Sequence, residues 1–166
     1  MIEIVKPIKY PAMDHSHEYF MQMAIDQAGE AARMNEVPVG AVIVNADNQV
    51  IARDHNRTIS RCDPSAHAEM NVLRTAALKI GNYRLLSSKL YVTIEPCVMC
   101  MGAMVHARVK TVVFGALDPK WGAAKSLYQL GQDPRLNHQV EIIEGICENR
   151  CRSLIQTFFR NRRKAI

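Results

Sequence analysis

The stretch Leu90-Tyr91-Val92-Thr93-Ile94-Glu95-Pro96-Cys97-Val98-Met99-Cys100 decides how the whole chain is read. Its first five residues are apolar or β-branched and predict a strand. Pro96 ends that strand and opens a helix of small residues and methionines, from 97 to about 107. A strand that runs directly into a helix is the unit of a layered α/β fold. Downstream, Thr111-Val112-Val113-Phe114-Gly115 predicts a further strand. A loop with a short helix near 125–130 then leads to a last strand near 140–143. An amphipathic helix at about 148–164 closes the chain, with Leu154, Ile155, Phe158 and Phe159 as its apolar stripe.

Upstream, Asp63-Pro64-Ser65 punctuates the chain before a helix from about 65 to 80, which Gly81-Asn82 closes. The apolar runs 40–44 and 50–52, separated by Asn45-Ala46-Asp47-Asn48, read as a hairpin. Asp14 is a fair N-cap for a first helix reaching about Asn35, with Phe20, Met21, Ala24, Ile25, Ala28, Ala31 and Ala32 at helical spacing. Residues 1–12 read as a loosely attached arm. No repeat, low-complexity stretch or long linker divides the chain. The expected architecture is one domain over 1–166, a three-layer α/β/α sandwich around a central five-stranded mixed sheet.

No segment approaches the ~18 consecutive apolar residues of a membrane-spanning helix, so no membrane partner is expected. The first eleven residues mix Glu3, Lys6 and Lys9 with single apolar residues and lack a secretory apolar segment. A cytoplasmic location is the expectation. Five cysteines, an odd number, then point to reduced thiols and metal ligands and not to a disulfide framework. The net charge of +5 is concentrated at one end, in Arg160, Arg162, Arg163 and Lys164. Without those four, 17 basic residues face 16 acidic ones. A basic tip on a neutral body suits a polyanion, although a solvated, frayed helix end has the same composition.

Two short elements carry the chemistry. His67-Ala68-Glu69 lies at the opening of the second helix, and Pro96-Cys97-Val98-Met99-Cys100 opens the third. Cys97 and Cys100 are three apart and share a helix face, at the positive end of the helix dipole, which favours thiolates. Two thiolates and one imidazole fill three tetrahedral positions of a single Zn2+ and leave the fourth to water, the pattern of a catalytic zinc. Zinc lowers the pKa of that water toward ~7, but two anionic sulfurs oppose the effect, so a nearby base is useful. Glu69 is placed to move protons without binding the metal. Either element alone is weak, since His-x-Glu arises by chance and Cys-x-x-Cys also serves redox or structural roles. Their joint occurrence at helix openings is specific.

This signature resembles that of the zinc nucleobase deaminases. Within that cytidine/deoxycytidylate deaminase superfamily, the chain is most similar to the bacterial branch that deaminates adenosine in tRNA. The resemblance runs from about His17 to Lys164 and is carried by residues 35–41 (Asn-Glu-Val-Pro-Val-Gly-Ala), Asn56-Arg57, 63–69, 93–100, 113–116 and 158–163. It implies a cytidine deaminase-like fold and conversion of adenosine to inosine at the first anticodon position of an arginine tRNA. It also implies that Asn56 contacts the flipped-out base beside Glu69, that Val39 walls the pocket, and that Asp118 and Lys120 reach neighbouring anticodon nucleotides. A homodimer whose partner subunit helps complete each site is a further implication. Leu117 stands where the best-known members carry a basic residue.

An RNA partner also has support outside the resemblance. Phe158 and Phe159, with Arg160, Arg162 and Arg163, set aromatic rings beside guanidinium groups, the means for stacking bases and binding phosphates. One phenylalanine is expected in the core and the other at substrate. Two rival readings stand beside this one: a free nucleobase or nucleoside deaminase of guanine or cytosine type, and a non-catalytic zinc-stabilised RNA-binding module. Three protein ligands and Glu69 argue against the second rival, since structural zinc prefers four ligands. Cys147 and Cys151, four apart with no histidine or further cysteine nearby, are expected to be buried or idle thiols. Cys62 is read as a bystander. Met99, Met101 and Met104 are expected in core or dimer contacts, and His106 in a structural or interface role. His15 and His17 carry no signal.

Overall fold

A computed structural model describes residues 16–164. The expected arm at 1–12 lies outside the described residues, as does Asp14, but the cap of the first helix does not: it is Ser16, whose hydroxyl accepts from Tyr19 N at 3.2 Å. Three strands are buried along their length: β1 (Gly40–Val44), β3 (Lys89–Ile94) and β4 (Thr111–Ala116). Side chains alternate between the two faces of a sheet, so strands this apolar need cover on both sides. On one face Ile43, Leu90, Val92, Val112 and Phe114 pack with Val72 and Leu73 of α2 (Ala68–Ile80) and Met101 and Met104 of α3 (Val98–His106). On the other, Val42, Val44, Tyr91 and Val113 meet Phe20, Met21 and Ala24 of α1 (His17–Arg33) and Cys151 of α4 (Glu148–Lys164). The result is the three-layer sandwich. Among the described residues no helix is long and apolar enough to cross a membrane.

The sheet is five-stranded and mixed, in the order β2-β1-β3-β4-β5, where β2 is Val50–His55 and β5 is Glu141–Ile143. β1 runs antiparallel to β2 and to β3, while β4 runs parallel to β3 and β5. These directions bring particular chain ends to one edge. The start of β1, the end of β2, and the ends of β3 and β4 all emerge there. Val39, Asn56, Glu95 and Leu117 are thereby neighbours in space, although they span almost eighty positions in sequence. In a sheet with parallel strands, the carboxyl ends are where ligand sites form.

Two elements differ from expectation. The second helix starts at Ala68 and not near 65, because the Asp63 carboxylate accepts both the N–H and the hydroxyl of Ser65, 2.8 and 2.7 Å away. That local turn uses the donors a helix start would need. The short helix expected at 125–130 is absent; a 3-10 turn at Leu130–Gln132 stands after it. The N–H groups of Lys125 and Ser126 are donated to Glu95, which removes them from any helical ladder.

α4 lies against β4 at Gly115, where a Cβ would collide with the side chain of Cys151 and come within 2.8 Å of the Thr93 carbonyl. Gly115→Ala is therefore expected to destabilise the fold by about 1–3 kcal/mol through overpacking. Urea unfolding measures this; an unchanged midpoint would show that the contact relaxes freely.

Candidate active site

α2 and α3 begin at the same edge of the sheet, and their N-cap residues are His67 and Cys97. Neither side chain makes a capping hydrogen bond. Both are turned instead toward a common point with Cys100. An orphan N–H of α2 is satisfied from outside the helix, by Asn56 Oδ1, which accepts from Ala68 N at 2.8 Å. The chain thus spends two cap positions on ligands and caps α2 from a neighbouring strand end.

His67 Nδ1 lies 3.7 Å from Cys97 Sγ and 3.6 Å from Cys100 Sγ, and the two sulfurs are 3.7 Å apart. A tetrahedral ion about 2.3 Å from sulfur and about 2.0 Å from nitrogen sets sulfurs roughly 3.8 Å apart and nitrogen from sulfur roughly 3.6 Å. The donor set fits zinc in both kind and spacing. Among the described residues these three form the one cluster of this type, and Cys147 and Cys151 are not part of it. All five cysteines are free thiols. Within the triad, hydrogen bonding from Cys100 and then from His67 pulls Cys97 down to about 4. The Cys97 sulfur in turn raises the Cys100 thiol and the His67 ring.

Glu69 stands on the first turn of α2, only 3% exposed, and its carboxylate is not part of the ligand cluster. Burial pushes it up to about 7. A cleft of about 1220 Å³ opens over this centre. Along with His67, Glu69 and Cys97, it brings together Val39, Asn56, Asp118, Lys120, Phe159, Arg162 and Arg163. Phe158 and Arg160 do not line it. Phe158 faces a separate groove between α1 and α4, under the Arg162 guanidinium 5.3 Å from its ring centre. Arg160 bonds to Thr157 on its own helix. Phe159, 43% exposed, is the ring that α4 presents to the cleft.

Sequence reasoning missed the two side chains that shape the cleft walls. Glu36 is fully buried and accepts from Ile59 N (3.1 Å), Ser60 N (2.7 Å) and Thr58 Oγ1 (3.3 Å). Glu95, 3% exposed, accepts from the backbone N–H groups of Asp118, Lys125 and Ser126 at 2.7–3.0 Å, and from the Ser126 hydroxyl. Burial acts to raise both carboxyls, but these donors outweigh it and hold each below its ordinary value. Gly122 sits so close to the Glu95 carboxylate that a side chain there would overlap it. Gly122 also forms a β-bridge to Cys97, and Ala123 N donates to Pro96 O at 2.8 Å. The loop after β4 is thus fastened beside a metal ligand. The Asp-Pro-Lys-Trp-Gly run at 118–122 was the one local hint of this turn.

Fold and donor set together define a zinc-dependent hydrolytic enzyme. Residues 14–116 match the cytidine and deoxycytidylate deaminase zinc-binding region, and the chain belongs to that family. It is 44% identical to the tRNA-specific adenosine deaminase of Haemophilus influenzae over 147 residues, covering 89% of this chain and 85% of the relative. With the Bacillus subtilis enzyme of the same name the identity is 46%, covering 89% and 91%. A structure from studies of A-to-I editing by tRNA:A34 deaminases at the wobble position superposes with TM-score 0.79 at 40% identity, covering 82% of this chain and 98% of that one. The guanine deaminase of Nitrosomonas europaea (TM-score 0.78, 19% identity, 90% and 88% covered) shares the fold alone.

Because Glu36 and Glu95 titrate below 4.5 when folded, their contribution to stability is complete above that pH. It is lost as pH falls through their folded values. Thermal unfolding from about pH 7 down to about pH 3 should show Tm falling steeply below about 4.5. Glu95→Gln should be less stable at neutral pH and lose Tm less steeply in acid. An unaltered acid limb in that variant would mean that Glu95 does not drive the effect.

Proposed function

We propose that this protein hydrolyses adenosine to inosine at the first anticodon position of tRNA, with an arginine tRNA as its substrate. The observation that carries this reading is the near-complete match to tRNA-specific adenosine deaminases, joined to a cleft that pairs the zinc centre with a cationic helix. His67, Cys97 and Cys100 would hold zinc, which when bound would supply a Lewis acid able to make water nucleophilic near neutral pH. Glu69 accepts a proton from the attacking water as the water oxygen bonds to C6 of the adenine ring, and returns the proton to N1. It then carries the hydroxyl proton to the amino group, which leaves as ammonia while the C6 carbonyl forms. Each turnover consumes one water and releases one ammonia.

The other side chains position the base. Asn56 Oδ1 is committed to Ala68 N–H, so its Nδ2 group, which makes no hydrogen bond among the described residues, is the donor offered to the base. Val39 packs against the ring. A base reaches this centre only when swung out of its stack, which an anticodon loop permits at low cost. Lys120, Arg162 and Arg163 meet phosphates, and Phe159 gives an aromatic face beside them. A cytoplasmic location follows from the tRNA substrate. The same reading includes a homodimer that completes each cleft. Its support is the apolar surface left exposed by Val98 and Met99 on α3 and by Leu127 and Tyr128 in the loop after β4.

The test is an inosine assay with zinc-loaded protein on three kinds of substrate: an arginine anticodon stem-loop, the same loop with adenosine moved one position, and free adenosine, guanine and cytidine. Inosine is expected only at the first anticodon position. Turnover confined to a free base would overturn the RNA assignment. Glu69→Ala should lower kcat by at least about 100-fold while zinc content and RNA binding persist, whereas His67→Ala should lose zinc and activity together.

A further inference from the structure

Trp121 is the single tryptophan of the chain, and at 71% exposure one of its most accessible large apolar side chains. It lies on the rim of the catalytic cleft, next to Lys120. Its backbone is held closely. Asp118 Oδ1 accepts from Lys120 N at 3.0 Å and from Trp121 N at 3.2 Å, and the Asp118 carbonyl accepts from Gly122 N at 2.8 Å. Below that turn, Glu95 and the Cys97–Gly122 bridge fix the loop to the floor of the site. A rigid base therefore carries an indole with no ring partner among the described residues. A large aromatic surface held in water beside a polar centre is the usual form of a contact waiting for its partner.

The surroundings indicate what that partner is. Lys120, Arg162 and Arg163 line the same cleft, with Arg152, which Glu148 pairs on its own helix, while the acids there, Glu69, Glu95 and Asp118, are buried or already bonded to the loop. Cations around an aromatic plane suit a strand of nucleotides better than a protein face. At about 1220 Å³ the cleft also exceeds the roughly 300–1,000 Å³ of a small-ligand pocket, so one flipped base leaves it partly empty. We propose that the Trp121 indole stacks on a nucleobase adjacent to the one deaminated, and so sets which single-stranded loop the enzyme accepts. This rests on the RNA reading above and adds a substrate contact to it. Asp118 serves this contact by fixing the turn, through the hydrogen bonds that its carboxylate already makes.

The experiment uses the zinc-loaded full chain and an anticodon stem-loop carrying adenosine at its first position. Trp121 is the only indole, so RNA titration should quench its emission directly. Trp121→Ala should raise KM about five- to 150-fold, the loss of one base stack, with kcat within about twofold. Trp121→Phe keeps a π face and should stay within about threefold of the parent. Each nucleotide flanking the target is also made abasic in turn. At one of them the KM penalty should appear in the parent protein and vanish in Trp121→Ala, a non-additivity that only direct contact produces. Emission that ignores saturating RNA, a Trp121→Ala KM within about twofold of the parent, or additive penalties at both flanking positions would overturn the proposal. So would emission that changes with subunit dissociation and not with RNA, which would assign the indole to a subunit contact. If the parent forms no inosine on any loop, the deaminase reading itself fails and this proposal falls with it. Inosine formation indifferent to Trp121 refutes this proposal alone.

Discussion

The structure depends on two helix N-termini meeting at one point on the edge of a sheet. A helix start carries partial positive charge and unsatisfied N–H groups, and so favours anions nearby. Here two such starts converge, and the residues at their caps are an imidazole and a thiol that forgo capping in order to face each other. The strand directions make the convergence unavoidable. β3 delivers Cys97 directly, and β2, parallel to it two strands away, delivers the segment that leads into His67. Remove either packing face and the 3.6–3.7 Å spacing of three ligand atoms has nothing to hold it.

Around that point the protein uses buried carboxylates for two opposite purposes. Glu36 and Glu95 are surrounded by backbone donors and remain charged, so each acts as a fixed negative node on which a loop is hung. Glu69 is as deeply buried but lacks such a ring of donors, and its proton affinity rises. A glutamate shielded from solvent thus stays charged or holds a proton more tightly according to its depth and the number of N–H groups aimed at it.

How much was legible in the sequence follows from how local each feature is. The ligand triad and Glu69 could be read because helix openings, a preceding proline and a three-residue spacing are all short-range signals. The layers could be read from the apolar runs, and the mixed sheet stands as expected. Glu36 and Glu95 could not be read, since their partners lie 22 to 31 positions away and an isolated glutamate looks like surface. That same remoteness explains the misplaced short helix: the N–H groups of Lys125 and Ser126 were committed to a carboxylate thirty residues earlier. Which of Phe158 and Phe159 faces the cleft turns on the rotation of α4 about its axis, which composition does not fix: Phe159 lines it, and Phe158 lies half-buried in the groove beside α1.

The loop over the cleft is held almost wholly through its main chain. Glu95 takes amide hydrogens, Gly122 pairs through its backbone, and Asp118 and Ser126 supply the anchoring side chains. The side chains of Leu117, Lys120 and Trp121 are left exposed and take no part in that scaffolding. Mutational drift at these three positions can therefore reshape the rim of the cleft while the zinc ligands are inherited intact. In a lineage whose members act on different nucleobases, such a separation between heritable machinery and disposable specificity is a physical basis for divergence.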